Sequence, residues 1–533
     1  MDEGAVSKRK GGPGIALRAW VGLLVMVPVP LLADTPTPPV TLLVPVVLDV
    51  RGVPPTHYTS DLVVVNRSGA PVRASLRYLP APGTPGAGGP DLVQTLGAGR
   101  EFRTPDVLDT LRQNGWEIPT GAMAVGSLTV TFEGVSDPSL VFAGSRASTP
   151  NPNAAIGGSY GVFAAGTSLA SLPAEPLTLL GLREDDAFRS NLAIVDVPSG
   201  TGGAAVSVQL FDGDTGSAAG EPVVVSLEKG DWKQIDSVLA LRGVRNGWAR
   251  VTRAGGGSDP FFAYAVVNDG AASGGGTSDG SLVLPGATDG LVPIVLRVPS
   301  GDTVFSSELI LANTSSSDAT ASLVYTMAPQ LSAGLTIETT VPVGAGRQVR
   351  IPDVVLFLWS TLPFRPPIPA AQGGTLAVSG GVAAMVRTSN PNPDPVVGGS
   401  FGVSYPAFAR PARASGEAWV FGLRQDETAR SNLAIADARV GDPSAVSYLI
   451  DLFDSGAGSG APALILGPIT LTGGEWRQLS GVLGLAGLAH GYARVRPQAG
   501  TSDFVAYGVV NDGAWPGQGT SDGSFLPPTS APQ

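Results

Sequence analysis

Along the chain, short apolar runs alternate with polar positions and are broken every few residues by Gly, Pro, Asn or Asp. In Val72-Arg73-Ala74-Ser75-Leu76-Arg77-Tyr78 the apolar side chains share one face and the arginines and serine the other, the period-two signature of a half-buried strand. Val206, Val208 and Leu210 alternate in the same way. A polar residue leads into an apolar strand in Ser60-Asp61-Leu62-Val63-Val64, Ser190-Asn191-Leu192-Ala193-Ile194, Ser307-Glu308-Leu309-Ile310-Leu311 and Ser431-Asn432-Leu433-Ala434-Ile435. A strand leading into a short helical turn is predicted at residues 104–108, 235–239, 351–355 and 479–483, with Pro105 and Pro352 suited to a first helical position. Strands this close together leave no room for crossover helices and predict an antiparallel sandwich rather than a parallel α/β fold.

The pattern is repeated. Gly181-Leu182-Arg183 returns as Gly422-Leu423-Arg424, and Arg189-Ser190-Asn191-Leu192-Ala193-Ile194 returns as Arg430 to Ile435, both at an offset of 241. Val266-Val267-Asn268-Asp269-Gly270 returns at residues 509–513, and Gly97-Ala98-Gly99-Arg100 at residues 344–347. The chain after residue 33 therefore reads as two copies of a unit of about 245 residues. Each copy divides again, because the same strand series appears in all four quarters. This gives four antiparallel β-sandwich modules at residues 41–153, 154–286, 287–394 and 395–528. Each is large enough to bury a core without disulfides. The Pro/Asn stretches at 149–153 and 390–393 read as stiff connectors, so the expected shape is a rod or bent string.

The pairing of a Ser-Asn-Leu-Ala-Ile strand (residues 190–194) with a closing strand of the type Phe262-Ala263-Tyr264-Ala265-Val266-Val267-Asn268-Asp269 resembles tandem immunoglobulin-like modules of uncharacterised secreted bacterial proteins. The counterpart closing strand is residues 505–512. The likeness covers nearly all of the chain after residue 33. It implies an immunoglobulin-like fold for each module and carries no catalytic residues with it. The first and third quarters end differently, in Phe142-Ala143-Gly144-Ser145-Arg146 and Ala383-Ala384-Met385-Val386-Arg387.

Composition narrows the function classes. Gly 72 and Pro 47 in 533 residues exclude long helices as the main architecture. A net charge of −11, with four lysines in the whole chain, makes nucleic acid a poor partner. With Cys 0 and His 2 there is no thiolate chemistry, no disulfide and little scope for zinc or His-based catalysis. Lys8, Arg9, Lys10 and Arg18 precede an apolar run at 19–33, so residues 1–33 are expected to be a signal peptide cleaved after Ala33. That run of 15 residues, with Pro28 and Pro30 inside it, falls short of the roughly 20 a spanning helix needs.

Candidate chemistry is sparse. Gly157-Gly158-Ser159-Tyr160-Gly161 and Gly398-Gly399-Ser400-Phe401-Gly402 match the Gly-x-Ser-x-Gly nucleophile elbow, which needs a strand before it, a helix after it and a histidine base. Here each follows a Pro/Asn stretch, no helical pattern follows, and His490 is the sole downstream histidine, so a glycine-rich lead-in to the next module is the preferred reading. Asp212 and Asp214 lie in a loop that could take calcium or could be an ordinary β-turn. Asp269, Asp279, Asp512 and Asp522 recur at the ends of closing strands, where they could gather at module junctions as calcium ligands or serve as turn residues. Trp515, in a loop with no aromatic counterpart, is the candidate ligand contact. Asn66-Arg67-Ser68 and Asn313-Thr314-Ser315 fit the glycosylation pattern, but Asn at a strand end also favours turns.

The expectation is a non-enzymatic secreted or cell-surface protein, structural or adhesive, with no cofactor unless calcium, and with the periplasm as the other compartment. Its partners would be envelope or extracellular proteins or glycans, with no membrane span in the mature chain. The alternatives are a carbohydrate- or calcium-dependent binding protein and, more remotely, a secreted serine hydrolase using Ser159 or Ser400.

Overall fold

The computed structural model describes residues 38–529 apart from isolated residues and short loop stretches, the longest being 198–203 and 393–397. The expected signal peptide lies outside the described residues. The first quarter holds β1 (Val40–Arg51), β2 (His57–Asn66), β3 (Val72–Pro80), β4 (Leu92–Leu96), β5 (Glu101–Thr104), α1 (Val107–Gln113), β6 (Ala124–Glu133), β7 (Val141–Pro150) and β8 (Ser159–Ala165), followed by the two-residue β9 (Thr167–Ser168). The second holds β10 (Leu177–Arg183), β11 (Phe188–Asp196), β12 (Ala204–Asp212), β13 (Val223–Leu227), β14 (Trp232–Ile235), β15 (Asn246–Arg253), β16 (Phe261–Asp269) and β17 (Gly280–Val283). The third comprises β18 (Leu291–Ser300), β19 (Thr303–Ala312), β20 (Ala319–Met327), β21 (Thr336–Val343), β22 (Gln348–Ile351), α2 (Val354–Ser360), β23 (Gln372–Ser379), β24 (Ala383–Pro391) and β25 (Ser400–Pro406). The fourth comprises β26 (Ala418–Arg424), β27 (Ala429–Asp437), β28 (Val446–Asp454), β29 (Leu464–Leu471), β30 (Trp476–Leu479), β31 (His490–Pro497), β32 (Phe504–Asp512) and β33 (Gly523–Leu526).

The fold is all-β, with six antiparallel sheets. In the second quarter the orders are β10-β15-β12-β13 and β14-β11-β16-β17, and the fourth repeats them as β26-β31-β28-β29 and β30-β27-β32-β33. The first quarter has the same two orders, β1-β6-β3-β4 and β5-β2-β7-β8, joined at a corner where Asp49–Arg51 of β1 pairs with His57–Thr59 of β2. The third quarter is joined in the same way through β18 and β19. In the second quarter Leu179, Val208 and Trp248 from one sheet meet Leu192, Ile194 and Ala263 from the other in a single buried core, the arrangement of a sandwich. The predicted alternation holds: Val72, Ala74, Leu76 and Tyr78 are buried, while Arg73 and Arg77 are exposed.

The expected segments lead into helices rather than contain them: α1 and α2 follow in the first and third quarters, and short 3-10 turns at Ala240–Arg242 and Val482–Ala486 follow in the second and fourth. Asp106 and Asp353 are the N-caps, accepting hydrogen bonds from Asp109 and Leu356 at 3.0 Å, so Pro105 and Pro352 lie just before the cap rather than inside the first turn.

Two expectations are corrected. Pro150 pairs with Ser159 and Pro391 with Ser400, so the Pro/Asn stretches are hairpin loops joining β7 to β8 and β24 to β25. The expected divides at 153/154 and 394/395 fall inside these hairpins, and β8 and β25 continue the preceding sheets. Nor are the quarters strung out as a rod. Val46 and Ala164 pack with Val195 and Trp232, joining the first quarter to the second. Ile310 and Met385 join the core of the second, Tyr405 and Phe408 pack with Trp476 and Tyr507, and Val63, Phe142 and Phe163 enter the core of the fourth. The four quarters thus close into a ring, because the apolar outer faces of their sheets are buried against neighbours rather than left in water.

Candidate functional site

At the middle of the ring four edge strands lie against one another, β8 against β17 and β33, and β25 against the same two. Tyr160 of β8 stacks on Phe401 of β25 with ring centroids 5.5 Å apart. These two occupy the same position in the two copies, so the contact lies at the centre of the duplication. Ser524 donates its hydroxyl hydrogen to the carbonyl of Gly161 at 2.9 Å, and Ser281 to the carbonyl of Gly402 at 3.0 Å.

Here the four recurring aspartates are brought together in equivalent pairs. Asp522 accepts the Gly161 N–H at 3.0 Å and lies 3.7 Å from Arg146. Asp279 accepts the Gly402 N–H at 2.8 Å and lies 4.0 Å from Arg387. Both aspartates are almost wholly buried, and each has one carboxylate oxygen without a hydrogen-bond partner. Burial pushes both carboxyls up, and the charge of Asp522 raises Asp279 further against the pull of Arg387. Asp522 is pushed up to about 7, with burial outweighing Arg146. Among the described residues no three potential ligand side chains are grouped as a metal site.

Asp269 and Asp512 organise the loops around this pair. Asp269 accepts the N–H and hydroxyl of Thr277, both at 2.7 Å. Asp512 accepts the same two groups of Thr520 at 2.6 and 2.9 Å, and its other oxygen accepts the Ser159 N–H at 3.0 Å. The approach is close: a Cβ on Gly158 would sit 1.8 Å from the Asp512 carboxylate, and one on Gly399 would sit 1.9 Å from that of Asp269. Close packing against these carboxylates thereby accounts for Gly158 and Gly399, the residues just before each serine. Ser159 opens a strand rather than a helix, and its hydroxyl accepts a hydrogen bond from Arg146 at 3.2 Å. An arginine in that position is a donor and cannot act as the base a nucleophile elbow requires.

The remaining candidates lie apart from this centre. One Asp212 oxygen accepts the N–H groups of Asp214 and Thr215, a turn cap, and Asp214 accepts from Asn246 at 2.8 Å. Trp515 is 68 % exposed. Trp232 and Trp476 are buried and donate to the hydroxyls of Tyr264 and Tyr507 at 3.1 and 3.0 Å. Asn66 is fully buried, donating to the carbonyls of Ala70, Leu96 and Gly97, and Asn313 is held by equivalent bonds to Ser317 and Val343. Sequence reasoning passed over Arg146 and Arg387. Their recurrence at an offset of 241, in the segments where the first and third quarters end differently, was the available signal.

No family model matches this chain, and no curated protein matches it.

Proposed function

We propose that the chain is a non-enzymatic secreted or cell-surface protein with a structural or adhesive role, built as four immunoglobulin-like sandwiches in two copies of a two-module unit. The observation that supports this reading is where its recurring charged side chains go. Asp279, Asp522, Arg146 and Arg387 tie the edges of neighbouring quarters together. Its partners are envelope or extracellular proteins or glycans. The test is to fractionate cells expressing the full chain and to assay the purified protein against ester, peptide and polysaccharide substrates. Export, no turnover and no labelling of Ser159 or Ser400 by an active-site serine probe are the expected results, and turnover at an appreciable rate overturns the reading.

A second reading, a carbohydrate- or calcium-dependent binding protein, draws on the exposed indole of Trp515. It predicts a rise in melting temperature with calcium or a glycan, lost for the glycan in Trp515→Ala.

A further inference from the structure

The duplication supplies its own comparison, because the seam between the second and third quarters and the seam between the fourth and first are made of equivalent positions. In the former, the Phe188 ring lies 4.2 Å from the guanidinium of Arg183 and 5.2 Å from that of Arg387. Glu308 sets its carboxylate 3.8 Å from Arg183 and 3.2 Å from Arg350. Met385 closes against Gly181, where an added Cβ would meet its sulfur at 2.8 Å. The space left is about 10 Å³.

At the other seam the three arginines recur as Arg424, Arg146 and Arg103, but the groups between them do not. Ala429 stands opposite Asp512 as Phe188 stands opposite Asp269; Gly144 stands opposite Val63 as Met385 stands opposite Ile310, but there the Phe163 ring fills the place of Met385, 2.5 Å from where a Cβ on Gly144 would sit. Asp61 replaces Glu308. It is one methylene shorter, its carboxylate accepts the Arg146 backbone N–H at 2.9 Å, and among the described residues no ion pair joins it to Arg103 or Arg424. The result is a cavity of about 340 Å³ lined by Asp61, Arg103, Arg146, Phe163, Arg424 and Ala429. That is within the range of small-molecule sites.

Of the arginines facing this cavity, Arg146 donates to Ser524 and Ser159 and lies 3.7 Å from Asp522, and Arg424 donates to Thr428 at 2.9 Å. Arg103 is paired with Glu101 through Nε, and its Nη2, which has no hydrogen-bond partner, lies just beneath the cavity wall, so a ligand reaches it by a small shift of the side chain. Arg424 is paired with Asp426 through Nε, as Arg183 is with Asp185, and in Arg183 that pairing coexists with Glu308. Asp512 also borders the space, but its oxygens already accept from Ser159 and Thr520.

We propose that this cavity binds a small aromatic carboxylate. The ring takes the place of Phe188, between Arg424 and Arg146, where a π face meets two guanidinium groups. The carboxylate takes the place of Glu308, against Arg103 and Arg424, as a charge-assisted hydrogen-bond acceptor. Phe188 and Glu308 both contact Arg183, so one compact molecule can supply both groups. This inference rests on the comparison of the two seams and stands apart from the structural or adhesive reading.

The test is calorimetric titration of benzoate into the full chain, with benzyl alcohol and galacturonate as the probes lacking the charge and the aromatic ring. Saturable benzoate binding is expected, with both comparison probes weaker by about tenfold or more. Ala429→Phe and Asp61→Glu each restore a group from the filled seam, and each should abolish the heat while circular dichroism shows the fold retained. If Ala429→Phe fails to fold, Asp61→Glu decides alone. Absence of benzoate binding to the unaltered chain, equal binding of either comparison probe, or unchanged affinity in a folded variant overturns the proposal. None of these outcomes bears on export or turnover.

Discussion

Trp248 donates its indole N–H to the carbonyl of Gly346 at 2.8 Å, reaching from the second quarter into the third. At the matching place in the fourth quarter, Tyr492 donates its hydroxyl to the carbonyl of Gly99 in the first, at 3.2 Å. Gly99 and Gly346 are themselves equivalent, so two different side chains perform one task at the two seams. The carbonyls concerned lie in turns that leave them without a ladder partner, and a buried carbonyl without a donor is costly. Trp248→Phe should therefore lose about 1–3 kcal/mol for the orphaned carbonyl, with a further loss from the smaller ring. Tyr492→Phe keeps its ring and isolates the orphaned carbonyl, at about 1–3 kcal/mol with no further loss. Thermal melts of the two variants should rank in that order.

The buried carboxyl pair predicts an unusual pH dependence. Asp522 is pushed up to about 7 in the folded chain, and Asp279 is raised as well, while in the unfolded chain both return to the ordinary carboxylate range. Between those limits the folded state binds more protons than the unfolded one, so stability falls as pH rises. The contribution is fully present below about pH 4 and lost by the time pH passes the folded value. Urea titrations should show stability falling by on the order of a few kcal/mol as pH rises from 4 through 7. Asp522→Asn retains an acceptor for the Gly161 N–H and removes the charge that raises Asp279. It should flatten the profile, and an unchanged slope would refute the assignment.

Gly158 and Gly157 make a matched pair of probes, with φ values of +82° and +72°. Both should resist a side chain for backbone reasons, at about 1 kcal/mol. Only at Gly158 would the new Cβ strike Asp512; at Gly157 nothing lies within 4 Å. Gly158→Ala must push the carboxylate away from Ser159 and Thr520, so it should cost about 2–4 kcal/mol in all, against about 1 for Gly157→Ala. Equal melting temperatures for the two variants would show that Asp512 gives way freely.

How much of this could be read from the sequence depends on the range of the interaction. The β class, the strand series and the faces of strands such as Val72–Pro80 follow from local alternation, and the sheets obey it. The twofold copy follows from recurrence of Gly181-Leu182-Arg183 and its neighbours. The ring does not follow, because its seams join Arg146 to Ser524 and Asp512 to Ser159, residues more than 350 positions apart that give no local pattern. The Pro/Asn stretches misled for a related reason. Proline stiffness suits a connector and a hairpin loop equally, and only the pairing of Pro150 with Ser159 distinguishes them. The recurrence of Asp269, Asp279, Asp512 and Asp522 did mark the centre. Their chemistry there is set by burial, which composition cannot report.

Asn66 and Asn313 provide a check on the difference between a motif and its setting. Each stands in an Asn-x-Ser triplet, yet each side chain is fully buried and acts as a hub. In the first copy, Nδ2 donates to the carbonyls of Ala70, Leu96 and Gly97 at 2.8–3.0 Å, while Oδ1 accepts from the N–H and hydroxyl of Ser68. A glycan on Nδ2 would have to displace the strand end it ties down. Expression of the full chain in a glycosylating host should leave both asparagines unmodified in folded protein, as read by peptide mass spectrometry. Asn66→Ala orphans several buried backbone groups at once and should destabilise by about 2–4 kcal/mol. Asn66→Asp keeps the acceptor but loses the donors and buries a charge among carbonyls, so it should be at least as damaging at neutral pH and milder in acid, where the carboxyl can protonate and donate.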